Sequence, residues 1–227
     1  MIAPPRQLTL NLPHRPSFAR DDFLVGPSNR DAFAAIDAWP LWPARVLMLV
    51  GPEGSGKSHL AAIWAEKAAA LPVKLPDAGS ALADASALLI ENADRGGGPE
   101  VPLFHLLNAA LQTKAWVLLT ARTTPGAWGL RLPDLLSRLR LAPVTQLKPP
   151  DLELTEAVLF KLFSDRQLQV EPHVVSYMAM RIERSLGAAR HLVDLLDREA
   201  LAQRRRVSRT MAAQLLREFP DSMMHTP

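Results

Sequence analysis

The sequence predicts an α/β protein: a parallel five-stranded sheet flanked by helices, followed by a small all-helical domain. Three observations carry that expectation. Short, continuously apolar runs alternate with helical spacing between Asp31 and Leu147, the pattern of strands buried on both faces. A glycine-rich loop from Gly51 to Ser58 joins one such run to a helix. After Pro149-Pro150 the apolar runs stop and only helical patterns remain.

Residues 1–20 carry Pro4, Pro5, Pro13 and Pro16 and read as an extended N-terminal arm. The α/β domain is expected over 21–150 and the helical domain over 151–227. A first helix spans Asp31–Ala38 and is stopped by Pro40 and Pro43. The run Val46-Leu47-Met48-Leu49-Val50 is the first strand, and the helix after the glycine loop runs from Lys57 to about Ala70. A short strand is placed near Val73–Leu75, a buried one at Ala87–Ile90, a glycine-rich loop at Arg95–Glu100 and a helix at Leu103–Gln112. Trp116–Thr120, a short helix at Leu132–Leu139 and a last strand at Val144–Leu147 complete this part. The helical domain is read as Leu152–Phe163, Pro172–Arg181, Gly187–Ala202 and Thr210–Glu218.

Gly51-Pro52-Glu53-Gly54-Ser55-Gly56-Lys57-Ser58 fits the phosphate-loop pattern G-x-x-x-x-G-K-[ST] in full, with the strand before and the helix after that the motif requires. The glycines let backbone N–H groups converge on one point, and the helix start adds partial positive charge there. Lys57 is placed to reach the β- and γ-phosphates of a nucleotide, and the Ser58 hydroxyl to ligate Mg²⁺. The strand Ala87–Ile90 ends in Glu91-Asn92. A neighbouring strand of a phosphate-loop protein usually ends in an acidic residue that holds Mg²⁺ through water; Glu91 takes that place. Asn92 stands where a water-activating carboxylate is expected. An amide orients water but does not accept its proton, so intrinsic hydrolysis is expected to be weak. Thr120 ends the next buried strand, where a hydroxyl contacts the γ-phosphate or the attacking water, or is simply a β-branched strand end.

Composition narrows the rest. A chain of 227 residues with 48% hydrophobic and 22% charged residues is ordinary for a soluble protein with a real core. The absence of cysteine excludes disulfides, thiolate catalysis and cysteine-bound zinc. The six histidines show no metal-ligand spacing. No run is long and apolar enough to cross a bilayer, and the N-terminus is too rich in proline for a signal peptide, so a cytoplasmic protein without a membrane partner is expected. The net charge of +3 does not by itself argue for nucleic acid. Arg198, Arg204, Arg205, Arg206 and Arg209 form a local basic cluster that reads as a solvated helix end or a DNA contact.

Together these pieces resemble the AAA+ ATPases of the DnaA replication-initiator group, from about Phe18 to Glu218. Asp22 to Asn29 resembles the group's N-terminal box, which lines the adenine pocket and points to Phe23 and Val25, with His59 directly after the phosphate loop. Gly51, Pro52, Gly54, Ser55, Gly56, Lys57 and Ser58 match Walker A; Glu91 and Asn92 sit at Walker B; Thr120 falls at sensor 1. Ser137-Arg138-Leu139 resembles the box that supplies an arginine finger, Leu147 to Asp151 the junction to the helical lid, and Arg190 the sensor 2 position. The chain ends soon after the lid pattern, so the group's DNA-reading domain is expected to be missing. Gln7-Leu8-Thr9-Leu10-Asn11-Leu12 looks like a peptide that docks on the DNA polymerase sliding clamp, through Gln7, Leu8, Leu10 and Leu12. Burying Leu10 and Leu12 is worth about 1.5–3 kcal/mol each before the cost of ordering the arm.

In this combination the sequence is similar to the Hda-type regulatory proteins of that group. The resemblance implies an ADP (or ATP) cofactor with Mg²⁺, and as partners the sliding clamp, the DnaA initiator and, through the clamp, DNA; a homo-oligomer is left open. It implies an arginine finger, Arg138, acting in trans on ATP held by the initiator. Two other readings stand beside it. An active ATPase related to helicase or clamp loaders predicts turnover by the chain alone. A DNA-binding module using the C-terminal arginines predicts duplex binding that falls steeply with salt.

Overall fold

The computed structural model describes residues 18–75, 85–95 and 100–218. They divide into two compact units, one spanning Phe18–Pro149 and the other beginning at Pro150. In the first unit β1 (Val46–Val50), β2 (Leu71–Pro72), β3 (Ala87–Ile90), β4 (Trp116–Ala121) and β5 (Val144–Gln146) form one parallel sheet in the order β2-β3-β4-β1-β5. The helices are α1 (Arg30–Asp37), α2 (Lys57–Ala68), α3 (Glu100–Thr113) and α4 (Pro133–Leu141).

Successive strand residues point to opposite faces, and each face has its own core. Leu47 and Leu49 of β1, Ala87 and Leu89 of β3 and Leu118 of β4 pack with Ile36 of α1 and Leu60, Ile63 and Trp64 of α2. Met48 and Val50, Leu88 and Ile90, and Val117 and Leu119 pack on the other face with Leu103, Leu106 and Leu107 of α3 and Leu135 and Leu139 of α4. Two-sided burial is why these strands read as unbroken apolar runs.

The register sets the site. Val50 lies beside Ala121 and Leu49 beside Thr120, while Ile90 lies beside Leu119. Because the strands are parallel, the exits of β1, β3 and β4 come out at one sheet edge, the place where α/β sheets bind ligands.

The edge strand β2 is Leu71–Pro72, two residues before the predicted position, although the Val73 N–H still donates to Leu89 O at 2.8 Å. Proline is tolerated there because an edge strand need not donate on both sides. Helix α3 begins at Glu100, three residues earlier than the spacing suggests. Pro102 falls in its first turn, where a missing N–H costs nothing.

The second unit contains α5 (Leu152–Asp165), α6 (Pro172–Ala179), α7 (Leu186–Gln203) and α8 (Arg209–Glu218). Asp151 caps α5, its carboxylate accepting from Leu154 N at 2.8 Å, and Ser185 caps α7 through Ala188 N at 3.3 Å. Leu159, Phe163, Val175, Met178, Leu192, Leu196 and Leu215 form its core. Among the described residues no helix is long and apolar enough to cross a membrane.

Candidate phosphate-binding site

The loop Gly51–Gly56 leaves β1 and delivers Lys57 and Ser58 to the first turn of α2. Gly51 must be glycine because the chain leaving β5 crosses it: a Cβ there would lie 2.6 Å from Leu147 O. Gly54 and Gly56 adopt φ of 69° and 99°, the left-handed region that folds the loop back on itself. The Lys57 Nζ donates to Gly51 O and Pro52 O, both at 2.7 Å, and the side chain is buried across the loop. Burial holds its ammonium below the ordinary lysine range; Asp94 opposes that most strongly, Arg122 adds to it, and Glu53 and Arg95 act in opposite senses. Ser55 is 3% exposed, and its Oγ has no hydrogen-bond partner among the described residues.

The exits of β3 and β4 are tied together. Asn92 has a left-handed φ of 53°, and its N–H donates to the Thr120 Oγ1 at 2.9 Å. Ala93 N donates to Thr120 O at 2.8 Å. Thr120 is 1% exposed, so its hydroxyl serves the join between the two strands. Glu91 is exposed at the strand end.

Four charged residues here were not singled out from the sequence. Asp94 accepts from the backbone N–H groups of Arg122 and Thr123, at 2.7 and 3.2 Å, and so fixes the turn after β4. The Arg122 guanidinium pairs with the carboxylate of Glu53, on the phosphate loop itself. Arg95, from the turn after β3, brings Nη2 to 3.7 Å from the other Glu53 oxygen. Glu53 thus joins three loops. Its position inside the motif is the only sequence signal; nothing in the sequence pairs it with arginines that far away.

Of the predicted adenine-side residues, Phe23 and His59 come together at the first turn of α2. Phe23 stacks on Phe33, with centroids 5.6 Å apart, and meets the His59 ring edge-on at 5.2 Å. His59 Nε2 lies 3.0 Å from Ala19 O, and its ring also meets Phe18. Asn29 braces the turn, accepting from Gly26 N at 2.8 Å and donating to Leu24 O at 2.9 Å. Lys148 N donates to Ser28 O, fastening this turn to the end of β5. Val25 remains 47% exposed beside it.

Arg138 lies on the exposed side of α4 with its guanidinium 5.4 Å from the Phe104 ring centroid. No carboxylate lies within ion-pair distance of it among the described residues. In the second unit, Arg190 of α7 is half-buried, and burial holds its guanidinium below the ordinary arginine range, opposed by Asp194. Arg166 pairs with Asp194. Gln7, Leu8, Leu10 and Leu12 lie outside the described residues. No group of three or more His, Asp or Glu that could hold a metal ion occurs among the described residues. That leaves Ser58 and Glu91, both exposed, as the predicted magnesium contacts. Magnesium in phosphate sites typically takes one or two protein ligands and completes its shell with phosphate and water.

No family model matches the sequence. The chain is similar to the chromosomal replication initiator protein DnaA of Thermomicrobium roseum, 28% identical over 239 residues, which cover 89% of this chain and 50% of that protein. It spans half or less of the length of the curated DnaA relatives it matches. In structure it resembles domain III of the Thermotoga maritima replication initiation protein DnaA, with a TM-score of 0.78 and 20% identity over 92% of this chain and 99% of that one. It also resembles AMPPCP-bound DnaA from Aquifex aeolicus, with a TM-score of 0.72 and 15% identity over 92% of this chain and 72% of that one. With the parallel sheet, the glycine-rich loop that leaves β1 and the helical unit that follows, the chain has the AAA+ fold seen in DnaA domain III.

Proposed function

We propose that the protein is a nucleotide-dependent regulator of replication initiation. In this reading it holds ADP or ATP in the phosphate loop and docks on the polymerase sliding clamp. It stimulates hydrolysis of initiator-bound ATP by lending Arg138 in trans. The observation that carries the proposal is the contrast between a complete phosphate cradle and an incomplete hydrolytic set. The cradle has left-handed Gly54 and Gly56, a buried Lys57 and an unpartnered buried Ser55 hydroxyl, features that fit a polyphosphate. The Aquifex aeolicus neighbour carries AMPPCP.

Lys57 would exchange its two carbonyl acceptors for phosphate oxygens. Ser58, and Glu91 through water, would hold the Mg²⁺, which supplies charge neutralisation between phosphates. Phe23, Val25 and His59 would form the base side, and Arg190 of the helical unit would contribute a cation. Asn92 has no proton-accepting group, which supports a nucleotide used as a structural cofactor. Arg138, exposed and without a carboxylate partner among the described residues, supports an arginine offered outward. Gln7, Leu8, Leu10 and Leu12 would bind the clamp.

The test is ATP hydrolysis by the initiator, measured with and without this protein and DNA-loaded clamp. Stimulation should need the protein and the clamp together. It should fall by about 10³-fold or more in Arg138→Ala while ADP binding stays intact. Deleting residues 1–12 should abolish co-elution with the clamp. Appreciable ATP turnover by the chain alone, without stimulation of the initiator, would replace this reading with the loader-type ATPase.

A further inference from the structure

The outer rim of the phosphate loop carries a charge arrangement that the nucleotide-binding reading does not use. Glu53 sits between Gly51 and Lys57, on the part of the loop that faces the exits of β3 and β4. Arg122 and Arg95, the two guanidiniums those exits supply, are both turned onto its carboxylate. Asp94 holds the Arg122 backbone in place. Lys57, the lysine that meets the β- and γ-phosphates in a phosphate loop, lies within the field of all four groups.

We propose that Glu53 is a specificity-determining residue that favours a nucleoside diphosphate over a triphosphate. The proposal rests on the phosphate-loop reading above. A diphosphate ends at the cradle formed by the loop backbone and Lys57. A third phosphate extends toward the rim, where it needs cations. Beyond Lys57, the cations the rim supplies are Arg122 and Arg95, and both are already paired with a carboxylate that belongs to the loop. The triphosphate must therefore displace Glu53 from Arg122 and Arg95, or bind beside a like charge. Both routes cost affinity that a diphosphate does not lose. All three side chains are about half exposed, so solvent screens the effect and the preference is moderate.

Binding of ADP and of AMPPCP to the full chain, with magnesium, is measured by calorimetry for the wild type, Glu53→Gln and Glu53→Gln/Arg122→Ala. Glu53→Gln should bind AMPPCP about three- to tenfold more tightly, with ADP changed by less than about twofold. The double variant should lose that gain, because the guanidinium released by Glu53→Gln is what the third phosphate uses. Glu53 is half exposed, and Glu53→Ala provides a second variant should the glutamine fold poorly. An AMPPCP-to-ADP affinity ratio that stays the same or falls in the single variants overturns the proposal. Failure of the wild-type chain to bind either nucleotide overturns the phosphate-loop reading itself, a different result.

Discussion

Substituting alanine at three glycines separates the physical demands on the unit that carries the glycine-rich loop. At Gly51 an added Cβ would stand 2.6 Å from Leu147 O, 3.0 Å from Ser55 Oγ and 3.1 Å from Leu147 Cβ. The nearest of these is backbone, which does not swing aside. The chain after β5 must move outward, and this strains the bond by which Leu147 N donates to Val50 O at 2.8 Å. Overpacking costs about 1–3 kcal/mol, and losing the hydrogen bond adds roughly 0.5–1.5, giving about 1.5–4.5 kcal/mol for Gly51→Ala. In a chain of this size that lowers the melting temperature by roughly 3–18 °C. Gly126 has nothing within 4 Å of its added Cβ, so Gly126→Ala should cost nothing measurable, within about 0.5 kcal/mol. Gly129 is equally open but has φ of +69°, so Gly129→Ala should cost about 1–2 kcal/mol from backbone strain alone. Thermal and urea melts of the three variants give the order directly. If Gly51→Ala melts with Gly126→Ala, the crossing of the β5 exit over the phosphate loop is not the constraint described here.

Lys57→Ala should abolish nucleotide binding. Saturating ADP, at about 100 times its dissociation constant, should raise wild-type stability by about 2.7 kcal/mol and leave the variant's melt unmoved. A thermal shift retained in Lys57→Ala would refute the role of the lysine. Asp37 accepts from Arg20 Nη1 at 2.6 Å, which holds its carboxyl below the ordinary carboxylate range. A carboxylate with a depressed folded pKa adds stability above its unfolded pKa and loses it as pH falls through the folded one. Asp37→Asn should therefore narrow its gap from wild type as the pH is lowered through that range. A stability difference independent of pH would assign the effect to packing.

The strands, the phosphate loop and the change to helices after Pro149-Pro150 were legible because each is a local pattern. Two-sided burial makes β1, β3 and β4 continuous apolar runs, and the loop's chemistry is written in eight consecutive residues. The weaker elements were blurred for local reasons. Leu71–Pro72 is exposed and two residues long, so it has no burial pattern to announce it. The missed start of α3 came from reading the glycines before Glu100 as part of a longer loop. The charged rim of the site was not legible at all. Glu53 and Arg122 are 69 residues apart, and Asp94 reaches its backbone partner across 28. Only the sheet order, which sets β4 between β3 and β1, brings them together. The tryptophan packing is of the same kind. Trp42 stacks on Trp64 at 5.4 Å and meets Trp116 edge-on at 5.8 Å, joining residues from three parts of the chain.

Holding a nucleotide and hydrolysing it draw on different atoms, and this chain treats the two sets differently. Affinity in a phosphate loop comes from converging backbone N–H groups, a helix start and a lysine, all of which lie between Gly51 and Ser58. Hydrolysis needs a group beside the γ-phosphate that can take a proton from water. On the proposed reading the residue in that position is Asn92, whose backbone N–H donates to Thr120. Glu53, on the loop, is paired with two arginines, and Asp94 accepts from the turn after β4 through one carboxylate oxygen. On the proposed reading, the activity belongs to a group set apart from this rim. Arg138 meets that requirement, because α4 seats itself on the sheet through Leu135 and Leu139 and leaves the arginine at the surface.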